Sequence, residues 1–270
     1  MRRCWMPVLL VLLACLPGTA APAVTPLPRA HAHNDYEHAR PLLDALDQGF
    51  ASVEADVHLV DGALLVAHDL KDARPDRTLE SLYLAPLRER VQTNGGFVFD
   101  AVTEFTLLVD IKGDAAETYA MLDRTLEPYR PMLTRFTDDQ RTPGAVTVIL
   151  SGNRPVEAVT ASPVRWVALD GRLPDLERNP SVFLYPLLSD SWRPTFPWFR
   201  DEVLTQADRR RLRQLVDQAH AQGRRIRFWG VQDQPFAWRE LHAAGVDLIN
   251  TDRLADLRAF LLNPRPVRGE

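Results

Sequence analysis

The strongest constraint on the fold of this chain is a recurrence of short apolar, β-branched runs that end in polar residues, separated by stretches of helical periodicity. The runs fall at 52–59, 105–111, 146–150, 164–169, 182–188, 225–231 and 246–249, with a shorter one at 30–32. Thr205 is placed to cap a helix that carries Leu212, Leu215, Val216 and Ala219 on one face and stops at Gly223. Segments 114–126, 236–244 and 253–262 read the same way. Strands alternating with helices pair in parallel, and about eight such units close on themselves. The expected fold class is therefore α/β, a single TIM-type (β/α)8 barrel. The length of 270 residues suits it, since such barrels take about 250. The proline-rich stretch 174–197 reads as a long loop around one strand. A doubly wound open sheet is the alternative, but no glycine-rich phosphate loop follows any run.

The barrel is expected over 24–270, because the start of the chain has another character. Arg2 and Arg3 precede an apolar run from Trp5 to Leu16, followed by the small-residue stretch Gly18-Thr19-Ala20-Ala21-Pro22-Ala23. A charged start, an apolar stretch below the roughly 20 residues of a membrane span and a small-residue exit describe a signal peptide over 1–23. An exported protein, periplasmic or secreted, is the expectation. Lipoprotein anchoring at Cys15 is the weaker reading, since Leu13 before Ala14 fits such a box poorly. Both cysteines, Cys4 and Cys15, fall in this segment, so a cleaved chain has no thiol nucleophile, thiolate metal site or disulfide. A formal net charge of −4 speaks against nucleic acid as partner.

In a barrel of this kind the chemistry gathers where strands end and loops begin. Glu54 and Asp56 lie two residues apart inside the run Ser-Val-Glu-Ala-Asp-Val, so both face the same way. Asp110 ends a second run, with Lys112 on its face. Carboxylates in apolar strands are costly without a compensating cation or donor. Three of them converging can hold Mg²⁺ or Ca²⁺; the alternative is a set of arginine ion pairs sealing the barrel mouth. Of 32 basic residues only Lys71 and Lys112 are lysines, which suits Lys112 to a phosphate oxygen as a compact charge, or equally to pairing with Asp110. His31 and His33 end the first run, and His68 follows the short apolar stretch 63–67. Two imidazoles from neighbouring loops, one taking a proton and one giving it, beside a cation that neutralises developing charge, suit cleavage of a phosphodiester. His58 shares the face of Glu54 and Asp56 in a supporting or incidental place, while His220 and His242 fall on helices. A histidine-rich zinc site opening with His31-x-His33 lacks ligands, because no histidine occurs between His68 and His220.

Taken together, these residues resemble the phospholipase-C-like phosphodiesterase superfamily, which includes glycerophosphodiester phosphodiesterases. The matching features are His33, Glu54-Ala55-Asp56, Asp61-Gly62 leading to His68-Asp69, and Gly245-Val246-Asp247-Leu248-Ile249-Asn250-Thr251-Asp252. The chain is most similar to the altered-inheritance-of-mitochondria protein 6 family, through His33-Asn34-Asp35-Tyr36-Glu37-His38, Ser52-Val53-Glu54-Ala55-Asp56-Val57 and Asn250-Thr251-Asp252. The resemblance implies a metal-dependent phosphoric diester hydrolase acting on a glycerophosphodiester or phospholipid-type substrate. It implies His33 and His68 as the catalytic pair and Glu54, Asp56 and Asp110 as ligands of a divalent cation, Mg²⁺ or Ca²⁺. It also implies Lys112 as a phosphate-binding residue and Trp229 as a wall of the substrate pocket, though as a plain strand residue Trp229 equally suits the core. Asn34, a departure from the family pattern, is placed to donate a weaker substrate hydrogen bond or to support the metal shell. A lipid substrate would bring peripheral membrane contact. Where glycerophosphodiesterases carry Arg-Gly after the first histidine, this chain has Asn34-Asp35, which removes a bidentate phosphate contact. The alternative function is an exported barrel that binds a phosphorylated ligand without turning it over.

Overall fold

The computed structural model describes residues 24–100, 102–196 and 204–264. The expected signal segment, 1–23 with Cys4 and Cys15, lies outside the described residues. The strands are β1 (Leu27–Ala32), β2 (Phe50–Val60), β3 (Ala63–Val66), β4 (Phe105–Ile111), β5 (Arg135–Phe136), β6 (Arg141–Thr142), β7 (Val146–Gly152), β8 (Ala168–Gly171), β9 (Leu187–Ser191), β10 (Arg225–Trp229) and β11 (Ile249–Thr251). Eight of them run side by side in the order β10-β9-β8-β7-β4-β2-β1-β11, every neighbouring pair parallel. A parallel bridge between Arg227 and Leu248 joins the two ends, so the sheet is a nearly closed barrel. Helices fill the crossovers, as parallel pairing demands. Among the described residues no helix is long and apolar enough to cross a membrane.

Alternation along the strands separates two cores. Outward residues such as Val53, Ala55, Val57, Leu107 and Val109 are buried beneath the helices. Inside the barrel, Leu108, Ile149, Leu187 and Leu248 form a separate apolar plug. Above that plug the inward positions turn polar: Glu54, Asp56 and Asp110, then Ser151, Asp170, Ser189 and Arg227, nearly all buried. The plug closes the barrel floor, and the polar layer opens at the C-terminal ends of the strands.

Local signals explain most of the helices. Thr205 Oγ1 accepts the Asp208 amide 3.1 Å away and opens Gln206–Ala221, with Leu212, Val216 and Ala219 buried. Asp114 Oδ1 accepts the Glu117 amide at 2.8 Å and opens Ala115–Leu126.

Three strands sit further along than their apolar runs suggest. The run at 164–169 yields β8 only from Ala168, because Arg165 pairs with Phe136 of the short β5–β6 ribbon and its guanidinium binds Asp138 at 2.7 Å and the Thr137 carbonyl at 2.9 Å. The run at 182–188 yields β9 only from Leu187, because Ser181 starts a turn, its carbonyl accepting the Leu184 and Tyr185 amides. Similarly, 246–249 contributes β11 at Ile249–Thr251.

Candidate active site

β2 is the longest strand and runs beyond the barrel rim. Asp61 and Gly62 both have positive φ, 48° and 79°, which is the backbone of a two-residue turn whose twist suits a hairpin. That turn folds β3 back antiparallel onto β2, and the Ala67 amide donates to the Asp56 carbonyl at 3.2 Å. The hairpin thereby delivers His68 to the carboxylate strand: His68 Nδ1 lies 3.1 Å from Asp56 Oδ2. His58, on the same hairpin, places Nε2 3.3 Å from the His68 carbonyl and so supports the loop.

Sheet register brings the acids together. Asp56 is the direct partner of Asp110 across β2 and β4, and Asp110 is the partner of Ser151 across β4 and β7. Carboxylate oxygens of Glu54, Asp56 and Asp110 lie within 4.8 Å of one another. Gly152 makes room for Asp110. Its φ is +65°, and a Cβ there would stand 2.4 Å from Asp110 Oδ1.

Counter-charges surround this cluster. Arg227 Nη2, buried on β10, reaches Glu54 Oε2 at 3.1 Å while its Nε donates to Asn250 Oδ1 at 2.9 Å. Lys112 Nζ stands between Asp56 (2.9 Å) and Asp110 (3.0 Å). Burial alone would raise the Glu54 pKa, but the Arg227 charge and the His31 hydrogen bond overcome it and hold Glu54 far below the usual carboxylate range. Asp56 is pushed upward by burial and by the Glu54 charge, despite Lys112 and Tyr36. Its Oδ1 is buried without a hydrogen-bond partner. An all-oxygen donor set with one unpartnered buried oxygen fits a hard divalent cation such as Mg²⁺ or Ca²⁺, and poorly fits a soft one.

His33 enters from the end of β1 and is fixed by Asp252, with Nδ1 2.8 Å from Oδ1. Burial works against the imidazolium, yet the Asp252 bond and the Glu54 and Asp252 charges raise the His33 pKa above its ordinary value. Asp252 is itself placed by Asp233, whose Oδ2 accepts both the Asp252 amide and the Thr251 hydroxyl at 3.0 Å. His31, by contrast, is wholly buried inside the barrel, 2.7 Å from Ser52 Oγ, and burial lowers its pKa to about 4, so it stays neutral at pH 7.

His33, Asn34, Glu54, Asp56, His68, Asp110, Lys112 and Trp229 all line one cavity of about 440 Å³ at the barrel mouth. Every candidate residue from the sequence is thus in one place. The sequence did not single out Tyr36, Arg172, Arg227 or Asp252. The Tyr36 hydroxyl lies 2.8 Å from both Asn34 Oδ1 and Asp56 Oδ2 and 3.4 Å from His68 Nδ1, tying three candidates together. Burial and the Asp56 charge raise its pKa far above the ordinary phenol value, so it remains a donor. Tyr36 and Asp252 lie in motifs already quoted and Arg227 in the apolar run 225–231, while Arg172 carries no local signal. Arg172 and Arg227 line the cavity too, from the β8 end and from β10, and supply guanidinium groups to a pocket whose first loop has Asn34 after the histidine.

Comparison with known proteins identifies the family and the fold. Residues 20–169 match the AIM6-like phosphodiesterase domain, and residues 225–255 match the glycerophosphoryl diester phosphodiesterase family. The chain is 32% identical to altered inheritance of mitochondria protein 6 of Eremothecium gossypii, over 91% of this chain and 74% of that protein. It is 29% identical to the homolog from Arthroderma benhamiae, over 87% and 84% respectively. A glycerophosphodiester phosphodiesterase from Parabacteroides distasonis shares the fold with a TM-score of 0.54 and 16% identity, covering 87% of this chain and 96% of that one. The chain belongs to the AIM6-like phosphodiesterase family and carries its cavity at the open end of a glycerophosphodiesterase-type TIM barrel.

Proposed function

We propose that this protein is an exported phosphoric diester hydrolase that uses a divalent cation on Glu54, Asp56 and Asp110 and an acid–base pair, His33 and His68. The observation that carries the reading is that both imidazoles, each with Nδ1 against a carboxylate, open into the cavity that holds the three acids. A cation bound there supplies positive charge to a phosphoryl oxygen as negative charge builds on it. With Nδ1 hydrogen-bonded to a carboxylate, each ring leaves Nε2 for substrate. One ring takes the proton of the attacking hydroxyl while the other, protonated, gives its proton to the departing alcohol oxygen. In a substrate bearing a hydroxyl next to the phosphate, attack by that hydroxyl forms a cyclic phosphate and releases the alcohol. Water then opens the ring with the two histidines in exchanged roles. Lys112, Asn34 and Trp229 bind the substrate beside them. The glycerophosphodiesterase-type fold favours a glycerophosphodiester or a phospholipid, the latter with peripheral membrane contact, and the charged and apolar start of the chain supports export.

The test is hydrolysis of bis(p-nitrophenyl) phosphate and glycerophosphodiesters, with and without chelator, beside His33→Ala and His68→Ala. Turnover that is lost with chelator, restored by Mg²⁺ or Ca²⁺, and reduced about 100-fold or more in either variant supports the reading. Binding of phosphorylated ligands with no turnover across the panel points instead to a binding protein.

A further inference from the structure

Trp229 and Arg172 both form part of the cavity wall. Arg172 Cζ lies 4.9 Å from the centre of the Trp229 ring, within cation–π range. The hydrogen bonds of this guanidinium all leave from Nη1, to the Gly171 carbonyl (2.8 Å), the Asp170 carboxylate (3.1 Å) and the Asp170 carbonyl (3.3 Å). Among the described residues Nε and Nη2 have no protein acceptor. Asp170 itself is fully buried and also takes the Ser151 hydroxyl, at 2.9 Å. Arg154 adds a second guanidinium, bound to the Asp170 carbonyl. Two arginines therefore bind Asp170, Arg172 at its carboxylate and Arg154 at its backbone carbonyl. The acids that line the cavity are already engaged, Glu54 with Arg227 and Asp56 and Asp110 with Lys112.

A quaternary ammonium group is recognised by open aromatic faces with anionic support. Among the described residues, the one tryptophan that lines the cavity carries the protein's own cation, and the charge beside it is positive. We propose that Arg172, laid on Trp229, is a specificity-determining residue that selects phosphodiesters with a neutral polyol or anionic headgroup and turns away quaternary ammonium headgroups. The free edge of the guanidinium offers paired donors to a hydroxyl, carboxylate or phosphate oxygen. This rests on the phosphodiesterase reading and adds the substrate class to it.

The test compares glycerophosphoglycerol with glycerophosphocholine, identical in the glycerol arm, on the full chain with cation supplied. The wild-type protein should favour the glycerol headgroup at least tenfold in kcat/KM. Arg172→Gln should shrink that ratio at least fivefold by raising the choline ester, and Arg172→Lys should keep most of it. A wild-type ratio near one overturns the proposal, and this arm needs no variant to fold. Equal loss on both substrates in Arg172→Gln also overturns it, since Arg172 would then contact the phosphate they share. If no phosphodiester is cleaved, the hydrolase reading fails while the selectivity is still measured by calorimetry with sn-glycerol 3-phosphate and phosphocholine. At least tenfold tighter binding of the former, reduced in Arg172→Gln, supports the proposal; equal affinity overturns it.

Discussion

Asp56 and Asp110 are register partners on adjacent parallel strands, and a single ammonium, Lys112 Nζ, stands 2.9 Å from one and 3.0 Å from the other. Like charges placed this close are sustained by a cation between or beside them, or relieved when one carboxylate takes up a proton. The same register puts Ser151 and Gly152 of β7 next to an acid cluster that β2 and β4 supply.

The acids differ in what else depends on them. Glu54 is buried against the buried Arg227, and removing one partner of such a pair leaves an uncompensated charge. Glu54→Ala should cost about 3 kcal/mol of stability in urea unfolding, as well as cation binding. Asp110 is partly exposed, with Lys112 still paired to Asp56 in its absence. Asp110→Asn should cost under about 1 kcal/mol while weakening cation affinity about tenfold or more, read by calorimetry.

Gly152→Ala should behave as an Asp110 variant without touching the carboxylate. The left-handed backbone costs a Cβ-bearing residue about 1–2 kcal/mol, and the new methyl would press on Asp110 Oδ1 and the Ile111 carbonyl, 2.4 and 2.5 Å away. Lower thermal stability together with loss of cation binding is the expected result.

Asp252→Asn keeps the shape of the His33 contact and removes its charge. His33 should then titrate lower, because the group that raises its pKa is gone. Phosphodiester turnover should fall about tenfold or more, with Asp233→Asn falling less; NMR titration of the His33 ring reads the first effect directly.

Asp35 tests the loop after His33 by pH. It is buried beneath Tyr83 and the Leu42 amide, and burial lifts its pKa from 3.8 to about 6 despite both hydrogen bonds. The folded state thus holds the proton more tightly than the unfolded chain, so its contribution is complete below pH 3.8 and is lost as pH rises through about 6. Relative to Asp35→Asn, the wild-type protein should lose about 2 kcal/mol of stability between pH 4 and pH 7, measured by urea unfolding at each pH.

Much of this site was legible because its signals are local. Glu54 and Asp56 interrupt an apolar strand at the period of the inward face, and Asp61-Gly62 marks the hairpin that returns His68. Arg172, Ser151 and Gly152 were not legible, since what gives them meaning is register across β4, β7 and β8 rather than their neighbours in sequence. The starts of β8 and β9 were misplaced for a related reason. Val164 and Val182 belong to apolar runs, but Arg165 is captured by the β5–β6 ribbon and Ser181 closes a turn, so tertiary partners override the run.

The central claim is that Glu54, Asp56 and Asp110 hold a divalent cation beside His33 and His68. A crystal soaked with Mn²⁺ and measured at the manganese absorption edge tests it most directly. The account predicts one strong anomalous peak in ligand contact with oxygens of all three carboxylates, at roughly 2.0–2.6 Å. A cavity with no peak there, or an ion bound elsewhere while these carboxylates stay paired to Lys112 and Arg227, would contradict it.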